Sequence, residues 1–330
     1  MKKSLVALAV AAALPAVAFA QTNIVLNGSL DMSLESVNDD ANGGNGSDLK
    51  LTNGIWAGSR FAIVGTEELG GGLKAIFNIE HRLAPDTGTV TSGATFWAGQ
   101  AWVGLQGGFG AVRMGRQYTP IFRALIVADT TGYSWYNNQV GLAGTRVRFG
   151  NEIEYKSPSL GGFTLYGAFA PGGGNADNIQ ESADAKAGDT VGLAGVGKFG
   201  PVSFGVGYHN IKENAAGDKR TELGLGLGGK LGPIGLGLTY ANRNPSGDNN
   251  NTKAFGFTAS GAFGAGTVYL SLTQTNPDGD NNNNMGLGLT YSHGLTKRTF
   301  MYASLGYNKQ QTAGDDVKPR AIALGVRHFF

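Results

Sequence analysis

The chain has 330 residues, no cysteine and a formal net charge of +2, and 55 of its residues are glycine. The lack of cysteine excludes disulfide bonds and cysteine-based metal or redox chemistry, and the nearly neutral charge provides no basic tail for nucleic acid. Glycine is unfavourable inside helices and here alternates with apolar residues, which argues against both long helices and disorder.

The first twenty residues have the pattern of a secretory signal. A basic start is followed by an apolar run, and the Ala-Phe-Ala sequence at 18–20 fits an A-x-A cleavage site. A membrane anchor is the alternative, but the run is short and Pro15 interrupts it. We therefore predict a cleaved signal peptide at 1–20 and a single domain at 21–330.

Beyond the signal, the chain alternates with a period of two residues, which is typical of β-strands that face two environments. In stretches such as SRFAIVGTEE, FTLYGAFA, IGLGLTYANR and MGLGLTYSH, one face carries large apolar residues and the other carries Gly, Ser, Thr, Asn or charge. After the signal, the sequence contains no apolar run near the roughly 20 residues that a membrane-spanning helix needs.

The connections between these stretches alternate in length. Seven are short, at 68–72, 106–110, 157–162, 199–201, 231–233, 263–266 and 293–298. Eight are longer and polar, at 36–58, 83–95, 118–145, 170–188, 209–219, 243–252, 275–284 and 308–318. Fifteen connections join sixteen strands, and short turns that alternate with long loops are typical of an outer-membrane barrel. We predict an all-β fold, a sixteen-stranded antiparallel transmembrane β-barrel; a secreted sandwich or solenoid is the alternative.

The sequence ends with a predicted strand. In ALGVRHFF, the residues of the two strand faces alternate up to the last residue. In lipid every backbone donor and acceptor needs a partner, which an open sheet edge cannot supply. We therefore predict that the last strand pairs with the first, IVLNGSLDMSLES, and that Phe330 closes the barrel at the periplasmic interface.

The third long connection, 118–145, is unusually apolar for a loop. Eight of its residues would be costly to expose to water: Ile121, Phe122, Leu125, Ile126, Val127, Tyr133, Trp135 and Tyr136. A barrel of sixteen strands has a lumen wide enough for an aqueous channel. We predict that this loop folds inward and narrows the pore; a loop that covers a subunit contact is the alternative.

Strand parity places several charged side chains on the lumen face. Arg60, Lys74, Arg82, Arg146, Arg148 and three glutamates, Glu80, Glu152 and Glu154, alternate with apolar residues. Parity near 111–117 puts Arg113 inward and Arg116 outward. Within the loop, Asp129 is the one acidic residue that could oppose these cations. An alternative role for the arginines is to pair with the wall glutamates.

The sequence resembles the general-diffusion porins of Gram-negative bacteria, especially the beta-proteobacterial (neisserial and Bordetella-like) branch. The resemblance covers the whole mature chain and is carried by SRFAIVGTEELGGGLKAIFNIE, AWVGLQGGFGAVRMGRQYTP, NEIEYKSPSLGGFTLYG and the terminal GVRHFF. It implies a basic wall at the constriction, formed by Arg60, Arg116 and Arg148 with Arg146 and Lys74 nearby, opposite Asp129, Tyr118 and Tyr133 of the third loop.

Arg116 matches the family's constriction arginine, although parity points it toward lipid. An arginine on the lipid face costs about 2–4 kcal/mol at mid-depth. We therefore expect a bend or bulge before Arg116 that turns it into the pore.

The resemblance implies passive diffusion of small hydrophilic solutes and ions, and an excess of arginine predicts a modest anion preference. A substrate-specific channel with a binding site at the third loop is the alternative, and an adhesin or enzyme on the same scaffold remains open. The four histidines lack zinc spacing, and the sequence has no G-x-S-x-G motif. We expect no enzyme activity, catalytic residue, metal or cofactor.

The expected location is the outer membrane of a Gram-negative bacterium. The expected partners are membrane lipid and lipopolysaccharide, the outer-membrane assembly machinery through the C-terminal strand, and two further copies in a homotrimer, but no nucleic acid. Four small residues are predicted to face outward, where they would suit a tight subunit contact: Ala303, Gly306, Ala323 and Gly325. Three tryptophans near strand ends, Trp56, Trp97 and Trp102, are predicted to belong to an interface girdle.

Overall fold

The protein forms one closed antiparallel barrel in a computed structural model that describes residues 22–38, 48–91, 95–132, 136, 142–172, 189–212, 218–245, 251–277, 283–311 and 316–330. The predicted signal peptide lies outside these residues. The described chain contains sixteen long strands: β1 (Thr22–Asn38), β2 (Ser59–Gly70), β3 (Leu73–Ala84), β4 (Gln100–Gly107), β5 (Gly110–Tyr118), β6 (Arg148–Lys156), β7 (Phe163–Ala170), β8 (Thr190–Phe199), β9 (Val202–Lys212), β10 (Lys219–Leu231), β11 (Ile234–Pro245), β12 (Thr252–Phe263), β13 (Gly266–Pro277), β14 (Asn284–Gly294), β15 (Thr299–Gln311) and β16 (Arg320–Phe329). Three short strands lie between them, at Asp48–Thr52, Thr89–Val90 and Asp316–Val317.

The connections alternate as predicted. Each of the seven short turns lies within its predicted range, and the eight longer connections lie at the other end of the barrel. The β2–β3 turn shows why glycine is used here, since Gly71 and Gly72 adopt φ of +60° and +79°, which glycine reaches without steric cost. In the described residues, no helix is long and apolar enough to cross a membrane.

The first and last strands close the barrel, which confirms the prediction made from the C-terminus. β1 pairs with β16 over Ser29–Asn38 and with β2 over Thr22–Ser29. Beyond this ladder, Gly28 N donates to Phe330 O (3.3 Å) and Phe330 N donates to Gly28 O (3.2 Å), so the pairing continues to the last residue. Glycine is required at position 28, because a Cβ there would lie 2.6 Å from Cζ of the Phe330 ring.

The two faces of the wall differ as alternation requires. On β1, Leu30 and Leu34 are 41% and 50% exposed on the outside, whereas Asp31 between them is fully buried on the inside.

The prediction that Gly306, Ala323 and Gly325 face outward was wrong. A Cβ on Gly325 would meet the interior Tyr302 ring and one on Gly306 the Tyr136 ring of the inward loop, while Ala323 is buried. The large residues that alternate with them, such as Ile322 and Leu324, occupy the lipid face instead. Ala303 does face outward, on the same side of β15 as the exposed Met301 and Leu305.

Candidate pore constriction

The third loop folds into the barrel, as its apolar sequence predicted. Its described residues form one short helix, α1 (Pro120–Leu125), and two 3-10 turns, Ile126–Ala128 and Leu142–Gly144. Thr119 caps the helix by accepting a hydrogen bond from Phe122 N at 3.2 Å. Ile121 and Leu125 are 0% and 2% exposed. The apolar face of the loop is therefore buried against the inner wall of the barrel.

Glycines on the inner wall make room for this loop. We call six lumen-facing positions on β9–β11 the glycine wall: Gly205, Gly207, Gly224, Gly226, Gly228 and Gly237. A Cβ on Gly237 would lie 1.7 Å from Ala128 O, and one on Gly226 would lie 2.3 Å from Ala124 O. The loop backbone thus lies directly on the strand backbone, and any larger residue at these positions would displace it.

A buried histidine holds the start of α1 to the wall. Ile121 N donates to His209 Nε2 at 3.3 Å. Because Nε2 accepts this bond, the proton is on Nδ1, which donates to Glu222 Oε2 at 3.1 Å. The same carboxylate oxygen accepts from Arg146 N at 3.0 Å. Arg146 therefore lies where the loop returns to the wall, beside the helix anchor.

The far part of the loop reaches the opposite strands. Tyr136 covers Gly288 and Gly306 on β14 and β15, and its hydroxyl donates to Glu35 Oε1 at 2.5 Å. Burial and the Glu35 carboxylate raise the pKa of Tyr136 above its ordinary value, so the hydroxyl stays protonated and keeps donating. The loop therefore spans the lumen from β8 to β15. Tyr133 lies outside the described residues.

Two arginines converge on one phenol where the loop leaves the wall. Arg82 and Arg148 each donate to Tyr118 Oη, at 3.1 Å and 3.0 Å. The Arg148 guanidinium also lies 4.5 Å from the centre of the Tyr118 ring. On its other side Tyr118 stacks on Phe122 at 4.0 Å. The inward loop thus positions the two cations through Tyr118.

Arg60 extends this basic surface, and we call Arg60, Arg82 and Arg148 the arginine wall. Arg60 on β2 is directly opposite Arg82 on β3. Like charges in that position destabilise a sheet, and Glu80 offsets part of this cost through an ion pair with Arg82 at 2.6 Å. Strand parity predicted that Arg82 faces the lumen, but the predicted constriction did not include it. Its register opposite Arg60 was the missed signal.

Arg116 is not brought to the arginine wall. The expected irregularity is present, since the β5–β6 register shifts between Gly115 and Gln117. The extra residue is on β6, where Asn151 adopts φ +51°, so β5 keeps its parity and Arg116 stays opposite Ala101. Arg116 Nε donates to Ala98 O at 3.0 Å, in the loop between β3 and β4.

Two further predicted residues lie away from the arginine wall. Lys74 pairs with Glu68 at 2.5 Å, beside the β2–β3 turn. It is eight positions from Arg82 along β3, roughly 26 Å at the usual strand rise, so it lies at the mouth of the barrel. The carboxylate of Asp129 accepts from Thr131 N at 2.9 Å and from Thr131 Oγ1 at 2.7 Å, which closes a local turn of the loop.

The alternative role for the arginines, pairing with wall glutamates, applies to Arg82 and also to two arginines outside the arginine wall. Glu154 is fully buried and accepts from Arg113 at 2.6 Å and from Arg123 Nε at 2.9 Å. Arg123 belongs to α1, so this pair also ties the inward loop to the wall. The carboxylate of Glu154 thus offsets the charge of these two cations in part.

Two of the three tryptophans do not belong to the predicted girdle. Trp56 is 7% exposed and packs inside the barrel against Tyr302. Trp102 also points inward, where Arg113 lies 5.2 Å from its ring centre. Trp97 lies beside Phe61 and His81 on the exterior face. In the described residues, no group of three or more His, Cys, Asp or Glu could hold a metal ion.

Comparison with known proteins agrees with this architecture. The profile of the Gram-negative porin family matches residues 7–313. Outer membrane porin protein 32 of Delftia acidovorans is 40% identical over 173 residues, 49% of this chain and 48% of the relative. An outer membrane porin of Bordetella pertussis is 32% identical over 178 residues, 49% of this chain and 46% of the relative. The matched region thus spans about half the length of these curated relatives.

A solved structure covers nearly the whole chain. The anion-selective porin from Comamonas acidovorans is 25% identical, with a TM-score of 0.81 over 94% of this chain and 100% of that one. The closed barrel and the outer-membrane relatives place this protein in the outer membrane of a Gram-negative bacterium. The chain belongs to the Gram-negative porin family.

Proposed function

We propose that the protein is a passive diffusion channel for small hydrophilic solutes and ions, with a preference for anions. The arginine wall carries this proposal. In the described part of the chain, Arg60 and Arg148 have no carboxylate within ion-pairing distance, and only Arg82 is paired. Asp129 is engaged with Thr131 within the loop. Unbalanced positive charge at a narrow level of a pore favours anions.

The structural relative described as anion-selective supports the same preference. The curated relatives are porins, which supports a channel rather than an enzyme. We also retain as proposals a cleaved signal at 1–20, a homotrimer, contact with lipopolysaccharide, and recognition of the C-terminal strand by the assembly machinery.

The test is the reversal potential of single channels in a planar bilayer across a potassium chloride gradient. Wild type is compared with Arg60→Ala/Arg82→Ala/Arg148→Ala and with Arg298→Ala, which removes an exposed arginine in the β14–β15 turn. We expect an anion-selective wild type, loss of that selectivity in the triple variant, and little change for Arg298→Ala. A triple variant that keeps wild-type selectivity would refute the role of the arginine wall.

A substrate-specific channel is a second candidate, favoured by the convergence of Arg82 and Arg148 on Tyr118. Two adjacent guanidinium groups are suited to hold a carboxylate. Saturable block of chloride current by one small carboxylate, and its loss in Tyr118→Phe/Arg148→Ala, would support this candidate. Current that falls only in proportion to solute size would favour general diffusion.

A further inference from the structure

A second segment, separate from the third loop, also enters the lumen. Ser33 of β1 is opposite Thr52, while Ser29 is opposite Arg60. Between these two pairs, three residues of β1, 30–32, lie opposite seven residues of the same chain, 53–59. The additional residues cannot stay in the sheet and leave the barrel wall. We call 53–58 the inserted segment. Ile55 within it is 3% exposed, so the segment is packed inside the barrel.

Trp56 fixes the inserted segment to the nearby inner wall formed by β13 and β15. Its ring lies 5.6 Å from Tyr269, 6.2 Å from Phe300 and 5.8 Å from Tyr302, measured between ring centres. Its Nε1 donates to Thr131 O in the third loop at 3.0 Å. The two inward segments thus meet at Trp56, which supports the middle of the third loop.

Trp56 also covers a buried cation. The Arg327 guanidinium lies over two rings, 5.1 Å from the centre of Trp56 and 4.4 Å from that of Phe329. It is 4% exposed, and Nε has no hydrogen-bond partner. The two aromatic faces stabilise the cation, but an ion pair would normally accompany a buried charge.

The carboxylate opposite Arg327 is already engaged. Asp31 is its direct cross-strand neighbour. The Asp31 oxygens accept from Tyr302 Oη at 2.7 Å and from Ala57 N at 3.1 Å. Among the described residues, Arg327 forms no ion pair shorter than 4.0 Å, so Asp31 acts on it only at longer range. The Asp31 charge still attracts Arg327 electrostatically, and the Trp56 ring lies directly against the guanidinium.

We propose that Trp56 is a positioning residue that limits both the width and the anion selectivity of the pore. Its N–H supports the third loop through the hydrogen bond to Thr131. Its ring covers Arg327 and keeps water and ions in the channel from reaching the guanidinium. Removal of the side chain opens the lumen and adds Arg327 to the cations that line it. Asp31 stays covered, because Tyr302 and the backbone of Ala57 still hold it. The inference rests on the proposed channel function.

The experiment measures single-channel conductance and reversal potential for wild type and Trp56→Ala. Trp56→Phe keeps a ring near Arg327 but removes the N–H. Arg327→Gln and Trp56→Ala/Arg327→Gln complete a double-mutant cycle. Trp97→Ala is the matched control, since that tryptophan lies on the exterior. Heat-dependent migration in gels and circular dichroism confirm that each variant is folded.

Trp56→Ala should increase conductance and raise the chloride-to-potassium permeability ratio by about twofold, because one more fixed cation faces the pore. Trp56→Phe should keep the wild-type ratio with noisier current. The double variant should keep the larger conductance but lose the rise in the ratio, and Arg327→Gln should act less in wild type than in Trp56→Ala. Trp97→Ala should match wild type.

A folded Trp56→Ala channel with the wild-type ratio would overturn the inference, as would a rise that persists in the double variant. The reversal potential of wild type separately tests the proposed function. A cation-selective wild type would refute the anion preference, while the shift between wild type and Trp56→Ala would still decide the role of Trp56.

Discussion

The two sides of the lumen are built from different residues and are used differently. On β9–β11 the glycine wall has no side chains, and the third loop lies against its backbone. On β2, β3 and β6 the arginine wall projects charged side chains that no part of the described loop covers completely. One side therefore receives the loop, and the other supplies the charge that faces solutes.

Desolvation explains why the loop is on the glycine side. Covering the arginine wall would remove charges from water, which is costly unless each gains a close partner. Covering glycine removes only backbone groups that are already paired within the sheet. The loop thus narrows the pore from the side where burial is favourable. The side that it leaves open is the one that determines which ions pass.

The largest predicted effect comes from filling the glycine wall. In Gly237→Leu the Cβ would lie 1.7 Å from Ala128 O, where backbone must move. We expect strain of at least about 1–3 kcal/mol, displacement of the loop and a larger single-channel conductance. Gly195→Leu is the control, since an added Cβ there lies 3.6 Å from exterior Leu165. Equal conductance in both variants would show that Gly237 does not position the loop.

A smaller effect is predicted from unbalancing the arginine wall. Glu80→Gln removes the ion pair with Arg82 and leaves three unpaired cations beside the pore. We expect a higher chloride-to-potassium permeability ratio at nearly unchanged conductance, because the side chain keeps its size. The matched control is Glu68→Gln, which breaks the exposed pair with Lys74 at the barrel mouth. If Glu68→Gln shifts the ratio as much, selectivity is not set at the arginine wall.

The strand count, the turns and the closure were predictable because alternation and turn length are local properties of the sequence. The inward loop was predictable because its apolar residues need a surface. The alternating glycines of the glycine wall are visible in the sequence, but sequence alone does not show what lies opposite a glycine. Trp56 was missed because the inserted segment lies within a connection that was interpreted as one external loop.

Arg116 shows a different limit, which concerns bulges. The irregularity was correctly expected near Gly115, but an extra residue on the neighbouring strand leaves the parity of β5 unchanged. Which strand carries the extra residue depends on the pairing of β5 with β6. Asn151, at φ +51° on β6, gives no sequence signal that connects it with Arg116. Parity and family resemblance therefore disagreed, and the contact with Ala98 follows parity.

The smallest predicted effect tests that assignment. Arg116→Ala removes a hydrogen bond to Ala98 O in the β3–β4 loop, whereas Arg148→Ala removes an unpaired cation of the arginine wall. We expect Arg148→Ala to lower anion selectivity clearly and Arg116→Ala to leave it nearly unchanged, with a loss of stability of about 0.5–1.5 kcal/mol. Reversal potentials and thermal unfolding measure the two quantities separately. Equal losses of selectivity would return Arg116 to the constriction and would mean that its side chain reaches the pore despite the parity of β5.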